Sequence, residues 1–173
     1  TFFAERGVEP AAAPGGDDEE SSLVGGGENA EAPEDEDEKT TVQRIAAMSV
    51  AERVVAAMKG TREERTILIR DSNKLVATAV LSSPKINESE VEAFAKMANV
   101  SEDVLRIIGA NRGWMKHYGI AHGLVRNPKT PPGISMRLLA RLSARDVKAV
   151  ATDRNVPEAL RLAARRITLT TQR

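Results

Sequence analysis

The chain runs to 173 residues, with 25 Lys and Arg against 25 Asp and Glu, five aromatic residues and no cysteine. The missing thiols exclude a disulfide framework and any thiolate chemistry, and no apolar run reaches the roughly 20 residues that a membrane-crossing helix needs. The acidic N-terminus has the wrong sign for a secretory signal, so the expected location is cytoplasmic.

The formal charge of zero conceals two opposed halves. Residues 1–40 hold thirteen acidic side chains against Arg6 and Lys39, a net −11, and the rest of the chain carries +11. From Val104 onward, fourteen basic residues face only Asp146, Asp153 and Glu158. Such asymmetry speaks to partners rather than to fold.

Residues 1–40 are dense in Glu, Asp, Gly, Pro and Ala without apolar periodicity, so they bury too little surface to offset the entropy of ordering. They are expected to form a disordered acidic tail, with Gly15-Gly16 and Gly25-Gly26-Gly27 as tethers. Thr1-Phe2-Phe3 reads either as a short docking motif or as a remnant. Residues 41–173 are then a single α-helical domain with room for a core.

Within that domain, Ser49-Val50-Ala51-Glu52 has the spacing of a capping box, and Val50, Val54, Ala57 and Met58 follow on one helical face. Gly60 is expected to stop this helix in a left-handed conformation. A second box, Thr61-Arg62-Glu63-Glu64, leads into Ile67-Leu68-Ile69, where two boxes in close succession favour helix over strand. Leu75, Val76, Ala79 and Val80 form the next apolar face, which Pro84 ends.

Asn87-Glu88-Ser89-Glu90 caps a helix facing inward through Val91, Phe94, Ala95 and Ala98. Ser101 starts another, with Val104, Leu105 and Ile108 inward. Trp114, Tyr118, Ala121 and Val125 predict one helical stripe, and Gly119 and Gly123 within it suit close backbone packing at about 1 kcal/mol each relative to Ala. Ile134, Leu138, Leu139 and Leu142 follow, with Pro131 and Pro132 tolerated where first-turn N–H groups are unpaired. Ser143 restarts a short helix with Val147, Val150 and Ala151. Leu160, Ala163, Ala164 and Ile167 make the last stripe, and Thr168–Arg173 reads as a fraying end. The sum is eight or nine helices of about 8 to 12 residues.

Sliding the sequence by 44 residues places Pro84 on Pro128, Lys85 on Lys129, Val76 on Ile120, Ala77 on Ala121 and Val80 on Leu124, a repeat signal. Asn127-Pro128-Lys129-Thr130-Pro131-Pro132, with Leu138-Leu139 and Asn155-Val156-Pro157-Glu158-Ala159-Leu160-Arg161, resembles the leucine-rich repeat variant and related HEAT-like helical repeats. The segment Ser49–Ile167, with Glu64-Arg65-Thr66-Ile67-Leu68-Ile69-Arg70-Asp71, also resembles a group of uncharacterised bacterial proteins. At Ser83-Pro84-Lys85-Ile86 the Asn and Thr of the turn are replaced, and the 44-residue period is closer to HEAT than to the shorter variant repeat. The resemblance implies a short HEAT-like array and assigns no functional residues.

Chemistry for catalysis is sparse. His117 and His122, five residues apart, sit about 140° around a helix and favour neither a shared metal nor a paired acid and base. No glycine loop suited to phosphate is present outside the acidic tail. No catalytic, cofactor-binding or metal-binding residue is therefore assigned, and the chain is read as non-enzymatic. The candidate partner surface is basic: Arg112, Arg126, Lys129, Arg137, Arg141, Arg145, Lys148, Arg161 and Arg165. Arg137, Arg141, Arg145 and Lys148 make a single stripe only if one helix runs through Ser143. Two readings follow. One is a protein-binding or scaffold module for a partner with an acidic surface, with the chain's own acidic tail able to dock on the basic surface. The alternative is nucleic-acid binding by the basic half, at a cost in affinity that rises with salt.

Overall fold

Side-chain caps rather than long periodic runs set the boundaries of most helices. In the computed structural model, which describes residues 33–171, Ser49, Thr61 and Asn87 each accept a hydrogen bond from the N–H three residues on, and Glu52, Glu64 and Glu90 reach back to the capping N–H. These reciprocal bonds satisfy donors that a helix start otherwise strands.

Ten α-helices and one 3₁₀ turn form among the described residues, with no strand. They are α1 (Pro33–Ala47), α2 (Val50–Lys59), α3 (Arg62–Leu68), α4 (Lys74–Val80), α5 (Glu88–Lys96), α6 (Glu102–Ala110), a 3₁₀ turn (Trp114–Lys116), α7 (Tyr118–Arg126), α8 (Pro132–Leu139), α9 (Ala144–Val150) and α10 (Glu158–Thr171). The chain is all-α in these residues, and no helix of theirs is long and apolar enough to cross a membrane.

The helices recur in threes. First members α2, α5 and α8 begin at 50, 88 and 132, second members α3, α6 and α9 at 62, 102 and 144, and third members α4, α7 and α10 at 74, 118 and 158. In every triplet the first and third helices pack together, as α2 on α4, α5 on α7 and α8 on α10. Between triplets, α4 packs on α6 and α7 on α8. Helix α1 packs on α3 as α4 packs on α6, so it occupies the third-member position of a preceding unit. Arg44 Nη2 fixes it there, 2.7 Å from Glu64 Oε1.

Two polar devices repeat with the helices. Between second and third members, the side chains of Asp71, Asn111 and Asp153 accept from the N–H two residues on, at 2.7, 2.9 and 2.9 Å. This side-chain turn replaces a backbone one and aims the third helix back onto the first. Between triplets, buried Ser83 and Asn127 stand 44 residues apart. Ser83 Oγ donates to the Met58 carbonyl, and Asn127 Nδ2 donates to those of Ala95 and Met97. Their oxygens then accept from the N–H of Lys85 and Lys129. Each peg satisfies carbonyls at the C-terminus of the preceding first-member helix, where the helix has no donors of its own.

The 44-residue offset read from the sequence thus joins equivalent positions: Val76 and Ile120, Ala77 and Ala121, and Val80 and Leu124 are all buried. Small side chains permit the close approach. A Cβ on Gly123 would come within 3.2 Å of Ala95, and one on Gly119 would collide with the Glu92 carboxylate.

Several local expectations need correction. Ten α-helices are described rather than eight or nine: the apolar stripes account for α2 to α10, and α1 is added before them. Helix α1 begins at Pro33, so the Glu34–Glu38 run falls within a helix rather than before residue 41; the remainder of the predicted tail lies outside the described residues. Gly60 has φ −68° and ψ −174°, which is extended, not left-handed. Its lack of a side chain serves proximity instead, since a Cβ would sit 2.3 Å from Glu64 Oε2. Val50, Met58 and Leu75 are exposed. Ala98 is exposed as well, because α5 ends at Lys96. The Trp114–Val125 stripe is broken into a 3₁₀ turn and α7, with Met115 buried and Tyr118 exposed. The last helix continues to Thr171 rather than fraying at Thr168.

Candidate partner-binding groove

The two junctions between triplets are built alike but charged differently. At the first, the third residue of α5, Glu90, meets Arg65 of α3 in an ion pair buried on both sides. Arg65 Nη1 also donates to the Gly60 carbonyl at 2.9 Å. The pair carries no net charge and neither side chain is exposed.

At the second junction the matching positions are apolar. Leu105 stands where α3 has Arg65, and Ile134 where α5 has Glu90. Ile134 fits because Gly109 is bare; a Cβ there would lie 2.7 Å from its Cγ2. One and two turns farther along α8 and its C-terminal end come Arg137 and Arg141. Each sends one Nη2 to a carbonyl across the junction, Arg137 to Gly109 at 3.3 Å and Arg141 to Met115 at 2.7 Å. A guanidinium carries five N–H donors, so these backbone bonds orient both groups and leave donors for a ligand.

Arg106 and Arg112 complete a groove of about 590 Å³. Its floor is apolar, made by Met115, Ile134 and Leu138, and no acidic residue lines it. All four arginines are exposed. Arg106 is shared with Glu102 at 2.5 Å and Asp103 at 3.4 Å on its own helix, whereas Arg112 makes no hydrogen bond or ion pair among the described residues. The lining includes no nucleophile and no group that titrates near neutral pH. Its chemistry is charge-assisted hydrogen bonding to oxyanions beside an apolar surface.

The structure therefore brings together three of the nine candidate basic residues: Arg112, Arg137 and Arg141. Arg126 lines a separate cavity of about 510 Å³ with Lys96, His122, Asn127, Asp153 and Asn155. It is neutralised there by Asp153, whose Oδ2 lies 3.0 Å from Nη2 and 3.1 Å from Nε. The Asn155 N–H, and then Arg126, hold the Asp153 carboxyl below its ordinary range. Lys129 is exposed on the turn, and Arg145 and Lys148 are exposed on α9. Arg161 is half-buried on α10, and Arg165 Nε donates to the Ala151 carbonyl at 3.2 Å. The expected stripe of Arg137, Arg141, Arg145 and Lys148 is divided, because α8 ends at Leu139 and α9 begins at Ala144.

Arg106 was not among the sequence candidates. Beside Glu102 and Asp103 it reads as part of a balanced helix, and only the placement of α8 over the C-terminal end of α6 gives it basic neighbours. His117 stands at the N-terminal end of α7 without a side-chain cap bond, 3.6 Å from Glu88, and His122 stacks on Tyr118 with ring centroids 6.2 Å apart. Among the described residues no group of three or more His, Asp or Glu side chains is placed to hold a metal ion.

No protein family, no functionally characterised protein and no solved structure matches this chain. Its own geometry carries the functional reading.

Proposed function

We propose that the domain is a non-catalytic protein-binding or scaffold module, a short HEAT-like array whose second junction engages an acidic partner. The observation that carries this reading is the contrast between junctions. The first neutralises its arginine with a buried glutamate, while the second turns four arginines toward an open groove. The repeated triplets, side-chain turns and pegs support an array in which each unit contacts its neighbours. The acidic N-terminal sequence is proposed as a competitor for the same basic surface, on the strength of the opposed charges of the two halves.

Binding of poly-glutamate and of non-specific DNA and RNA, each across a salt series, tests the reading. The measurement is made on the native chain and on one carrying Asp17→Asn, Asp18→Asn, Glu19→Gln and Glu20→Gln. The acidic polypeptide is expected to bind, and to bind more tightly when the tail is neutralised. Nucleic-acid binding with a steep salt slope, and none to poly-glutamate, would transfer the function to the alternative. That alternative rests on exposed Arg145 and Lys148 beyond the groove. Against it, Trp114 is partly buried against the core, and exposed Tyr118 has its ring stacked on His122 and its hydroxyl bonded to Asp146, which leaves few aromatic faces for bases.

A further inference from the structure

We infer that the groove between α6 and α8 is a discrete site for an extended peptide in which a run of carboxylates is followed by an aliphatic side chain. This rests on the reading of the domain as a module for acidic partners, and it adds where and how such a partner is held.

Three features specify the ligand. Arg106 and Arg112 come from the α6 side, and Arg137 and Arg141 from the α8 side, so carboxylates lying along the groove meet donors on both walls. The Arg137 and Arg141 guanidinia are already oriented by their bonds to the Gly109 and Met115 carbonyls, which reduces the freedom lost on binding. Between the walls lies the apolar floor of Met115, Ile134 and Leu138, which rewards an aliphatic group and offers nothing to a sugar-phosphate backbone. No aromatic side chain lines the groove, so it lacks a stacking platform for bases. Its volume of about 590 Å³ is that of an ordinary ligand cleft. At the first junction the positions matching Arg106, Arg137 and Arg141 are Thr66, Ala93 and Met97, none of them basic, and the one buried arginine there is held by Glu90, which confines the site to the second.

The chain's own sequence contains a segment of the required pattern, Asp17-Asp18-Glu19-Glu20-Ser21-Ser22-Leu23-Val24, and a labelled synthetic copy of it is a suitable probe. Fluorescence anisotropy with the full chain is expected to show saturable binding. The paired substitution Arg106→Gln and Arg112→Gln is expected to weaken it about 10-fold, in line with the loss of charge-assisted hydrogen bonds. Replacing Leu and Val of the peptide by Ala is expected to weaken it about 10-fold as well. The paired control Arg145→Gln and Lys148→Gln, which removes equal charge outside the groove, leaves binding within about 2-fold. If that control weakens binding as much as the groove pair does, the discrete site is overturned while the basic-surface reading stands. If the peptide and poly-glutamate both fail to bind, both readings fall. If an oligothymidylate of equal charge displaces the peptide and binds more tightly, the site belongs to a nucleic acid and the peptide inference is wrong. Unchanged circular dichroism and thermal midpoint establish that each variant is folded.

Discussion

Arg65 and Glu90 lock the first junction: Nη2 of Arg65 lies 2.7 and 2.9 Å from the two carboxylate oxygens of Glu90, and Nε lies 3.2 Å from one of them. At the second junction the same two positions are Leu105 and Ile134. The protein thus contains both solutions to one packing problem, and each predicts the behaviour of the other. Removing one partner strands a buried charge, so Glu90→Ile alone is expected to cost about 3–5 kcal/mol in urea unfolding. The double change Arg65→Leu with Glu90→Ile installs the apolar pair of the second junction. It is expected to recover most of that loss, leaving a deficit of about 1 kcal/mol from the lost capping box at Asn87.

The Asn127 peg makes a second quantitative case. Asn127→Ala leaves the Ala95 and Met97 carbonyls without their donor in a buried place, at about 2–4 kcal/mol. Asn127→Ser, which copies Ser83, retains one donor and should lose roughly half as much. Chemical denaturation of the three proteins orders them; equal midpoints for Ala and Ser would show that the peg does not act through its hydrogen bonds.

Thr130 closes the same turn with its hydroxyl buried and unpartnered among the described residues. Its contribution is its methyl and its shape. Thr130→Val is therefore expected to be neutral or to stabilise by up to about 1 kcal/mol, since it removes an unsatisfied polar atom without changing volume. A marked loss in thermal midpoint would reveal a partner for the hydroxyl.

Two glycines should respond oppositely to alanine. Gly133, in the first turn of α8, has no atom within 4 Å of a built Cβ, so Gly133→Ala gains up to about 1 kcal/mol of helix propensity. Gly109→Ala forces its methyl against Ile134 and is expected to cost about 1–3 kcal/mol by overpacking. The same variant should also disturb the groove, because Arg137 donates to the Gly109 carbonyl.

The pH dependence centres on Asp146. Its carboxylate accepts from the Tyr118 hydroxyl and, at 2.8 Å, from Ser143 Oγ. The Tyr118 bond first, then the Ser143 bond, depresses its pKa below the ordinary 3.8, with smaller help from His122 and Arg145. A depressed carboxyl adds stability above its unfolded value and loses it as the pH falls through the folded one. Tyr118→Phe should therefore lower the urea midpoint at neutral pH, and the gap to the native protein should narrow below the ordinary aspartate range to what the lost Ser143 N–H bond contributes. A gap that does not narrow in acid would place the whole effect in that bond rather than in the Asp146 carboxylate.

Much of this architecture was legible in the sequence, and the limits have physical causes. Capping boxes at Ser49, Thr61 and Asn87 announce themselves because Glu at the third helical position reaches back to the cap. At Ser143 the shorter Asp146 accepts from the cap hydroxyl, while the Tyr118 hydroxyl, from 25 residues earlier, accepts from the Ser143 N–H at 3.0 Å. No local pattern shows that substitution, and Tyr118 reads as core. The 44-residue offset was visible because Ser83-Pro84-Lys85 and Asn127-Pro128-Lys129 share a turn. The threefold recurrence was not, because first members begin 38 and then 44 residues apart and the matching contacts exchange an ion pair for aliphatics. Arg106 remained hidden for a similar reason: Arg137 and Arg141, which face it across the groove, stand 31 and 35 residues away.

Every principal packing pair of α-helices joins neighbours or next-but-one helices in the order α1 to α10, and this bears on how the protein is made. Contacts so local require little loop closure, the condition under which helical domains fold in microseconds to milliseconds. Synthesis at about 5–20 residues per second needs roughly 2–8 s for a triplet of about 40 residues. Each triplet therefore has time to settle before the next is complete. The Arg65–Glu90 lock closes while the basic helices are still being added, and the arginine groove is among the last surfaces to form.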